Sequence, residues 1–172
     1  MWRVEQGWGW GSGVIHYVPD LVHMEPADSQ PSIRLARADD VPRLAALGAQ
    51  LGYPASQEAV RRRLNDLMGD AAHVIYVAEA PGGEVVGWVH AFVRRLLIVG
   101  PHAEIGGLVV DERHQGRGTG RLLMHEAERW AREQGCEAVY LRSNVVRQGA
   151  HRFYEQIGYS NIKTSLTFRK EL

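Results

Sequence analysis

Residues 109–124 read VVDERHQGRGTGRLLM: the end of an apolar run, a polar turn, glycines at 116, 118 and 120, and an apolar stretch resuming at Leu122. Glycines at alternate positions let the backbone curl until successive N–H groups point into one hollow. A helix beginning at about Gly118 or Thr119 adds its unpaired first-turn N–H groups and the positive end of its dipole. An anion suits such a place; phosphate is the commonest biological one, and Arg117 and Arg121 can add charge-assisted hydrogen bonds. The bare pattern also serves a plainer purpose, close packing of helix on strand. Three phosphate loops fail outright. No Gly-Lys-Ser/Thr occurs anywhere, the glycines are spaced GxGxG instead of GxGxxG, and the kinase loop's catalytic and metal-binding partners are missing.

The flanks extend this strand-turn-helix into a fold. Upstream, HAEIGGLVV (102–110) is a strand with Gly106 and Gly107 inside it, and glycine within a strand marks a bulge or the close approach of a ligand. Before it, HVIYVAEA (73–80) and EVVGWVHAFVRRLL (84–97) are β-rich runs joined by Pro-Gly-Gly, which is hairpin chemistry. Earlier still, IRLAR (33–37) alternates as a short strand. Asp39 or Asp40 then offers an N-cap, with Pro42 in the first turn of a helix to about Leu51. Ser56 caps a second helix whose Val60, Leu64 and Leu67 share a face. Downstream, the helix after the glycines ends near Gly135, AVYLRS (138–143) is a strand, and RQGAHRFYEQIG (147–158) is a helix turning Ala150, Phe153 and Ile157 inward. YSNIKTSLTFRKEL (159–172) closes as a final strand or hairpin. The order is β-α-α-β-β-β-α-β-α-β(-β), an α/β fold with a mixed, mostly antiparallel sheet of six to seven strands flanked by about four helices.

Residues 1–31 differ, with early glycines and tryptophans and later prolines, and read as an extension to a domain spanning 32–172. That extension either wraps loosely or serves as a docking arm through Trp2, Trp8 and Trp10. Twenty basic and twenty acidic side chains cancel, so no global field draws the chain to nucleic acid or anionic lipid. The apolar run around residues 85–100 is cut by His90, Arg94 and Arg95, too short for a membrane helix. One cysteine, Cys136, allows neither an intramolecular disulfide nor a zinc knuckle. The expectation is a cytoplasmic protein without a metal.

Gln115-x-x-Gly118-x-Gly120, directly after a strand ending Val109-Val110-Asp111, resembles the Q/R-x-x-G-x-G/A loop of the GNAT superfamily of acetyl-CoA-dependent N-acetyltransferases. A second block, LRSNVVRQGAHRFYEQIGY (141–159), is similar to that superfamily's other motif through Asn144, Ala150, Phe153, Tyr154, Gly158 and Tyr159. The resemblance covers about residues 33–172. It implies that acetyl-CoA lies in a V-shaped opening between the strand ending at Val110 and AVYLRS. Its pyrophosphate would take N–H bonds from the loop Gln115, Gly116, Arg117, Gly118, Thr119 and Gly120, with Arg121 beside it. Its pantetheine arm would pair like a strand with Leu108, Val109 and Val110, and its thioester oxygen would lie near an N–H of Gly107–Val109. Tyr154 is implied as the acid that protonates the leaving thiolate. Glu104, eleven residues before Gln115, stands where histone-type members carry a general base; other members relay the proton through water. A strict two-residue period puts Glu104, Gly106 and Leu108 on one side of the strand. Asn144 precedes Tyr154 by ten residues, not the seven of the branch acting on ribosomal N-termini, which leaves open its contact with the pantetheine.

The resemblance implies acetyl transfer, through a ternary complex and without a covalent intermediate, to a primary amine of a small molecule or peptide. The alternative is a non-catalytic acyl-CoA-binding regulatory module. The acceptor cleft would be walled by the loop around LGYPAS (51–56) and by Trp88, His90 and Phe92, with Glu58, Asp66, Asp70 and Glu104 as the acids able to converge on a polycation. A homodimer is a further expectation.

Overall fold

The computed structural model describes residues 30–171. Strands β1 (Ser32–Leu35), β2 (His73–Glu79), β3 (Val85–Arg94), β4 (His102–Val110) and β5 (Val139–Leu141) form one sheet in the spatial order 1-2-3-4-5. The first four run antiparallel; β5 is parallel to β4, reached through a helical crossover. Helices α1 (Val41–Gln50) and α2 (Gln57–Met68) lie between β1 and β2, α3 (Thr119–Glu133) between β4 and β5, and α4 (Gln148–Gln156) follows β5.

The helices start and stop for local reasons. Ser56 accepts a hydrogen bond from the Ala59 N–H at 3.2 Å and caps α2 as its sequence suggests. Asp40 does not cap α1 by its side chain. It ends a short 3-10 turn (Ala38–Asp40), where its carboxylate accepts from the Arg37 N–H and from both terminal nitrogens of Arg34. The two sheet faces carry separate cores. Val41, Leu44, Leu47 and Leu64 of α1 and α2 close over Val77, Val85 and Val109 on one side. Leu123, Met124, Ala127 and Trp130 of α3 close over Tyr76, Val89, Ala103 and Ile105 on the other, with Phe153 and Ile157 of α4 packed beside them. Each fully buried leucine there contributes about 1.5–3 kcal/mol relative to exposure.

Two expectations about strands need correction. The sheet has five strands, not six or seven, because residues 159–171 form no strand. A strand needs a partner for its N–H and C=O groups, and β5 presents only three residues. The tail's alternating Ile162, Leu166 and Phe168 are accordingly exposed. The second correction concerns β4. Ile105 pairs with Ala91 but Gly107 with His90, so Gly106 is an extra residue, a bulge. Gly106 and Gly107 therefore both face the α1/α2 side, against His90, Phe92 and Trp88, whereas Leu108 packs into the α3-side core. Glu104 and Gly106 do share a face; Leu108 does not. Glycine is required at both: a Cβ at Gly106 would sit 2.9 Å from His90 Nδ1, and one at Gly107 would sit 2.8 Å from the Trp88 ring. The appended residues 1–29, with their tryptophans, lie outside the described residues.

Candidate active site

Beyond the bulge the sheet comes apart. β5 pairs with β4 only at Ala103, Glu104 and Ile105, so from Gly106 to Val110 the strand is bonded to β3 on one side and open on the other. A cavity of about 210 Å³ sits at this end of β4, lined by Gln50 and Leu51 of the α1 terminus, Leu108, Val109, Val110, Glu112, Gln115 and Arg147. It thus gathers the three residues expected along the pantetheine and one, Gln115, expected at the pyrophosphate. The chain then makes a 3-10 turn (Glu112–His114) and enters the glycine loop, where Gly116 and Gly118 take φ of 76° and 83°. Side chains rarely adopt that left-handed region. Gly118 is the N-cap of α3 and supplies no side-chain acceptor, so the first-turn N–H groups of a fifteen-residue helix are left for a ligand. An added Cβ at Gly116 or Gly118 would meet nothing within 4 Å, whereas one at Gly120 would meet Phe153 at 3.2 Å. The first two glycines serve backbone conformation; the third lets α3 approach α4. Arg117 and Arg121 are exposed beside the loop and Thr119 is buried beneath it. The loop fits an anionic group such as a pyrophosphate.

Asp111 holds this turn in place. It is almost completely buried, and its carboxylate accepts from the Arg113 N–H at 3.0 Å, from the Arg113 side chain, and from Arg43 Nη2 at 2.9 Å. The hydrogen bonds from Arg113 and Arg43 keep it ionised far below the usual carboxylate range. Gln115 reaches back to donate from Nε2 to the Val110 carbonyl at 3.0 Å, tying the loop to the strand end.

Tyr154 is half-buried on α4, its ring edge-on to Phe153 and Tyr159. Burial raises its pKa, opposed in part by Arg147, and keeps the phenol protonated near neutrality. The Tyr159 hydroxyl donates to Glu128 of α3 at 3.0 Å and fixes the end of α4. Glu104 is buried on the α1/α2 face, with Arg94 Nη1 2.6 Å and Arg142 Nη2 3.4 Å from the same oxygen. Asn144 spends its side chain locally: Oδ1 accepts from the Val146 N–H at 3.1 Å, shaping the turn into α4. Three of the four acids expected to converge are engaged by basic partners, and Asp66 is exposed on α2. Glu58 pairs with Arg62 on exposed α2, Asp70 with His73, and Glu104 with Arg94 and Arg142.

The profile of the GNAT acetyltransferase family matches residues 41–159, which include the strand end, the glycine loop and α4. The chain belongs to this family. It is 28% identical over 148 residues to an aminoglycoside N(6')-acetyltransferase of Stenotrophomonas maltophilia, covering 84% of this chain and 95% of that protein. It is 34% identical over 114 residues to an aminoalkylphosphonate N-acetyltransferase of Salmonella typhimurium, covering 64% and 69%. Its fold superposes with a TM-score of 0.77 on the aminoglycoside N-acetyltransferase AAC(6')-Iy solved in complex with CoA, at 18% identity over 86% of this chain and 99% of the other.

Within this GNAT acetyltransferase, three features escaped the sequence. Arg147, read only as part of a helix face, is the N-cap residue of α4; its Nη2 donates to the Leu51 carbonyl at 2.6 Å, a strap across the mouth of the cavity. Asp111 reads as a strand-terminal residue until Arg43, 68 positions away, is seen to donate to it. His73 and His90 meet across two strands. Their signal was available in principle, since the hairpin register makes them diagonal neighbours. The enzyme has no helix, among the described residues, long and apolar enough to cross a membrane.

Proposed function

We propose that this acetyltransferase moves the acetyl group of acetyl-CoA onto a primary amine of a small molecule, by direct attack within a ternary complex. The single observation that carries the reading is the opening at Gly106–Val110. A strand edge that β5 leaves unpaired beyond Ile105, with Gln115 on its Val110 carbonyl, leads through the glycine loop to an uncapped helix N-terminus, the arrangement suited to an extended arm ending in a pyrophosphate. Leu108, Val109 and Val110 supply the strand edge. Gln115, Gly116, Arg117, Gly118, Thr119 and Gly120 present N–H groups to the phosphates, with Arg121 beside them. Acetyl-CoA supplies an activated thioester, and it is the cosubstrate in this reading. Asn144 shapes the wall opposite β4 without a direct contact.

On the chain's side, Tyr154 delivers a proton at the thiolate sulfur, a role that its protonated, half-buried phenol suits. Glu104 faces the acceptor side of the sheet as a carboxylate held between two guanidiniums, where it orients the incoming amine or its water. Similarity to an aminoglycoside and to an aminoalkylphosphonate acetyltransferase supports a small-molecule amine over a peptide. The test is thiol release from acetyl-CoA against aminoglycosides, aminoalkylphosphonates, polyamines and peptides, preceded by calorimetry with CoA. Turnover with at least one small amine is expected. CoA binding with no turnover across the panel would favour a binding module and overturn the enzyme reading.

A further inference from the structure

On the α1/α2 face of the sheet two imidazoles bridge the glycine bulge and a carboxylate. His73 Nδ1 lies 3.0 Å from His90 Nε2, with the rings stacked at 5.3 Å between centroids. They are diagonal neighbours, because His73 is opposite Phe92 and His90 opposite Ile75; Phe92 stacks on His73. At the outer end, His73 Nε2 is 3.7 Å from Asp70 Oδ2, and Asp70 is fixed because its other oxygen accepts from the Ala72 N–H at 2.8 Å. At the inner end, the remaining nitrogen of His90, Nδ1, faces Gly106, 2.9 Å from where a Cβ would stand.

Two neutral imidazoles in contact must divide donor and acceptor between them. Asp70 decides the division. A carboxylate attracts the proton of His73 to Nε2, so His73 Nδ1 accepts, His90 donates from Nε2, and His90 Nδ1 keeps a lone pair aimed at the bulge. We propose that His90, His73 and Asp70 form a proton relay that takes, at His90 Nδ1, the proton the acceptor amine must lose before it attacks. The proposal rests on the acetyl-transfer reading and assigns the step for which Glu104 is poorly placed, since that carboxylate already receives Arg94 and Arg142.

An alkyl amine has a pKa of about 10 and is an ammonium ion near neutrality, unable to attack a carbonyl. In the relay its N–H bond breaks as a bond forms to His90 Nδ1. The proton on His90 Nε2 passes to His73 Nδ1, and that on His73 Nε2 passes to solvent at the part-exposed outer end, where Asp70 lies 3.7 Å away and favours the departing charge. The freed amine forms the C–N bond, the C–S bond breaks, sulfur takes its proton from Tyr154, and the tyrosinate takes back the second proton that the nitrogen sheds as the amide forms. Both rings regain their first tautomer by exchange with water once the products leave. Burial first, and then its neighbour His73, hold His90 down to about 4, so it stays neutral and passes the proton on without storing it. Other titratable groups on this face include Asp70 from the α2–β2 turn, Glu104 from β4 with its arginine partners, and Asp111 at the end of β4 with Arg43 and Arg113.

Two measurements on the full chain test the relay. Imidazole ¹⁵N chemical shifts report tautomers directly. His90 neutral, protonated on Nε2 and bare on Nδ1 at about pH 7 is expected; the reverse tautomer overturns the relay whatever the chain's activity. The second compares His90→Gln, His73→Gln and Asp70→Asn with the natural chain on two acceptors, a basic alkyl amine and a weakly basic amine already neutral at the assay pH. The His90 variant is expected to lose about 100-fold or more in kcat with the basic amine, the other two less, and all three little with the neutral one, at unchanged KM for acetyl-CoA. Equal losses on both amines would mean a merely structural role and overturn the proposal. Should His90→Gln melt early, His73→Gln, at a part-exposed strand end, carries the comparison alone. A natural chain that transfers acetyl to neither amine overturns the relay together with the acetyl-transfer reading, while the expected tautomer in that same chain identifies the reading as what failed.

Discussion

Replacing Gly118 with alanine isolates what the glycine loop is for. Gly118 has φ of 83° and open space around the missing Cβ, so no steric clash enters and the whole structural cost is conformational. Holding alanine in the left-handed region costs about 1–2 kcal/mol, a Tm drop of roughly 2–8 °C for a domain of this size. If the backbone relaxes instead, the peptide turns and an N–H leaves the anion hollow. A hydrogen bond to a charged group contributes about 1.5–3 kcal/mol, which predicts CoA binding weakened about 10- to 150-fold. Gly135 is the control: it follows the other end of α3, has φ of 72°, and also has nothing within 4 Å of an added Cβ. Gly135→Ala should lower Tm by a similar amount and leave CoA affinity untouched. Differential scanning fluorimetry and isothermal titration with CoA read both quantities. Should Gly118→Ala keep its Tm, so that the backbone has relaxed, and still bind CoA within about threefold of the natural chain, the loop is a packing device and its assignment to the pyrophosphate is wrong.

Asp111→Asn keeps the side chain's shape and removes its charge, and should cost about 1.5–3 kcal/mol near neutral pH. The folded-state pKa is depressed, so the natural chain's advantage is full above the ordinary carboxylate value and lost as pH falls through the folded one. Denaturant melts of both chains should therefore converge as pH drops below about 4, and a constant gap would contradict this account. Tyr154→Phe should lower kcat about 100-fold with little change in Tm or in KM for acetyl-CoA; unchanged kcat under a rate-limiting chemical step removes Tyr154 from the acid role.

The helices and the hairpin were legible because each depends on neighbours in the chain. Ser56 caps its own helix, and Gly82 and Gly83 turn the β2–β3 hairpin. The bulge was only half legible. The glycine pair announced an irregular strand, but which face Leu108 takes follows from pairing with β3, where one extra residue reverses every later side chain. The closing strand failed for a similar reason: alternation in Ile162, Leu166 and Phe168 gives a strand's period, yet no edge long enough pairs with it among the described residues.

The site divides along the same line. The sequence by itself determined the glycine turn into α3, since alternating glycines supply the local dihedral freedom that Gly116 and Gly118 use. It also determined the family, through two motifs whose residues lie close together in the chain. Only the tertiary structure decided the charges. Glu104 is ion-paired with Arg94 and Arg142, Asp111 is gripped by Arg43, and His90 contacts His73, which lies beside Asp70. Electrostatic partnership depends on distance in space and on exclusion of water, and neither is a property of position along the chain.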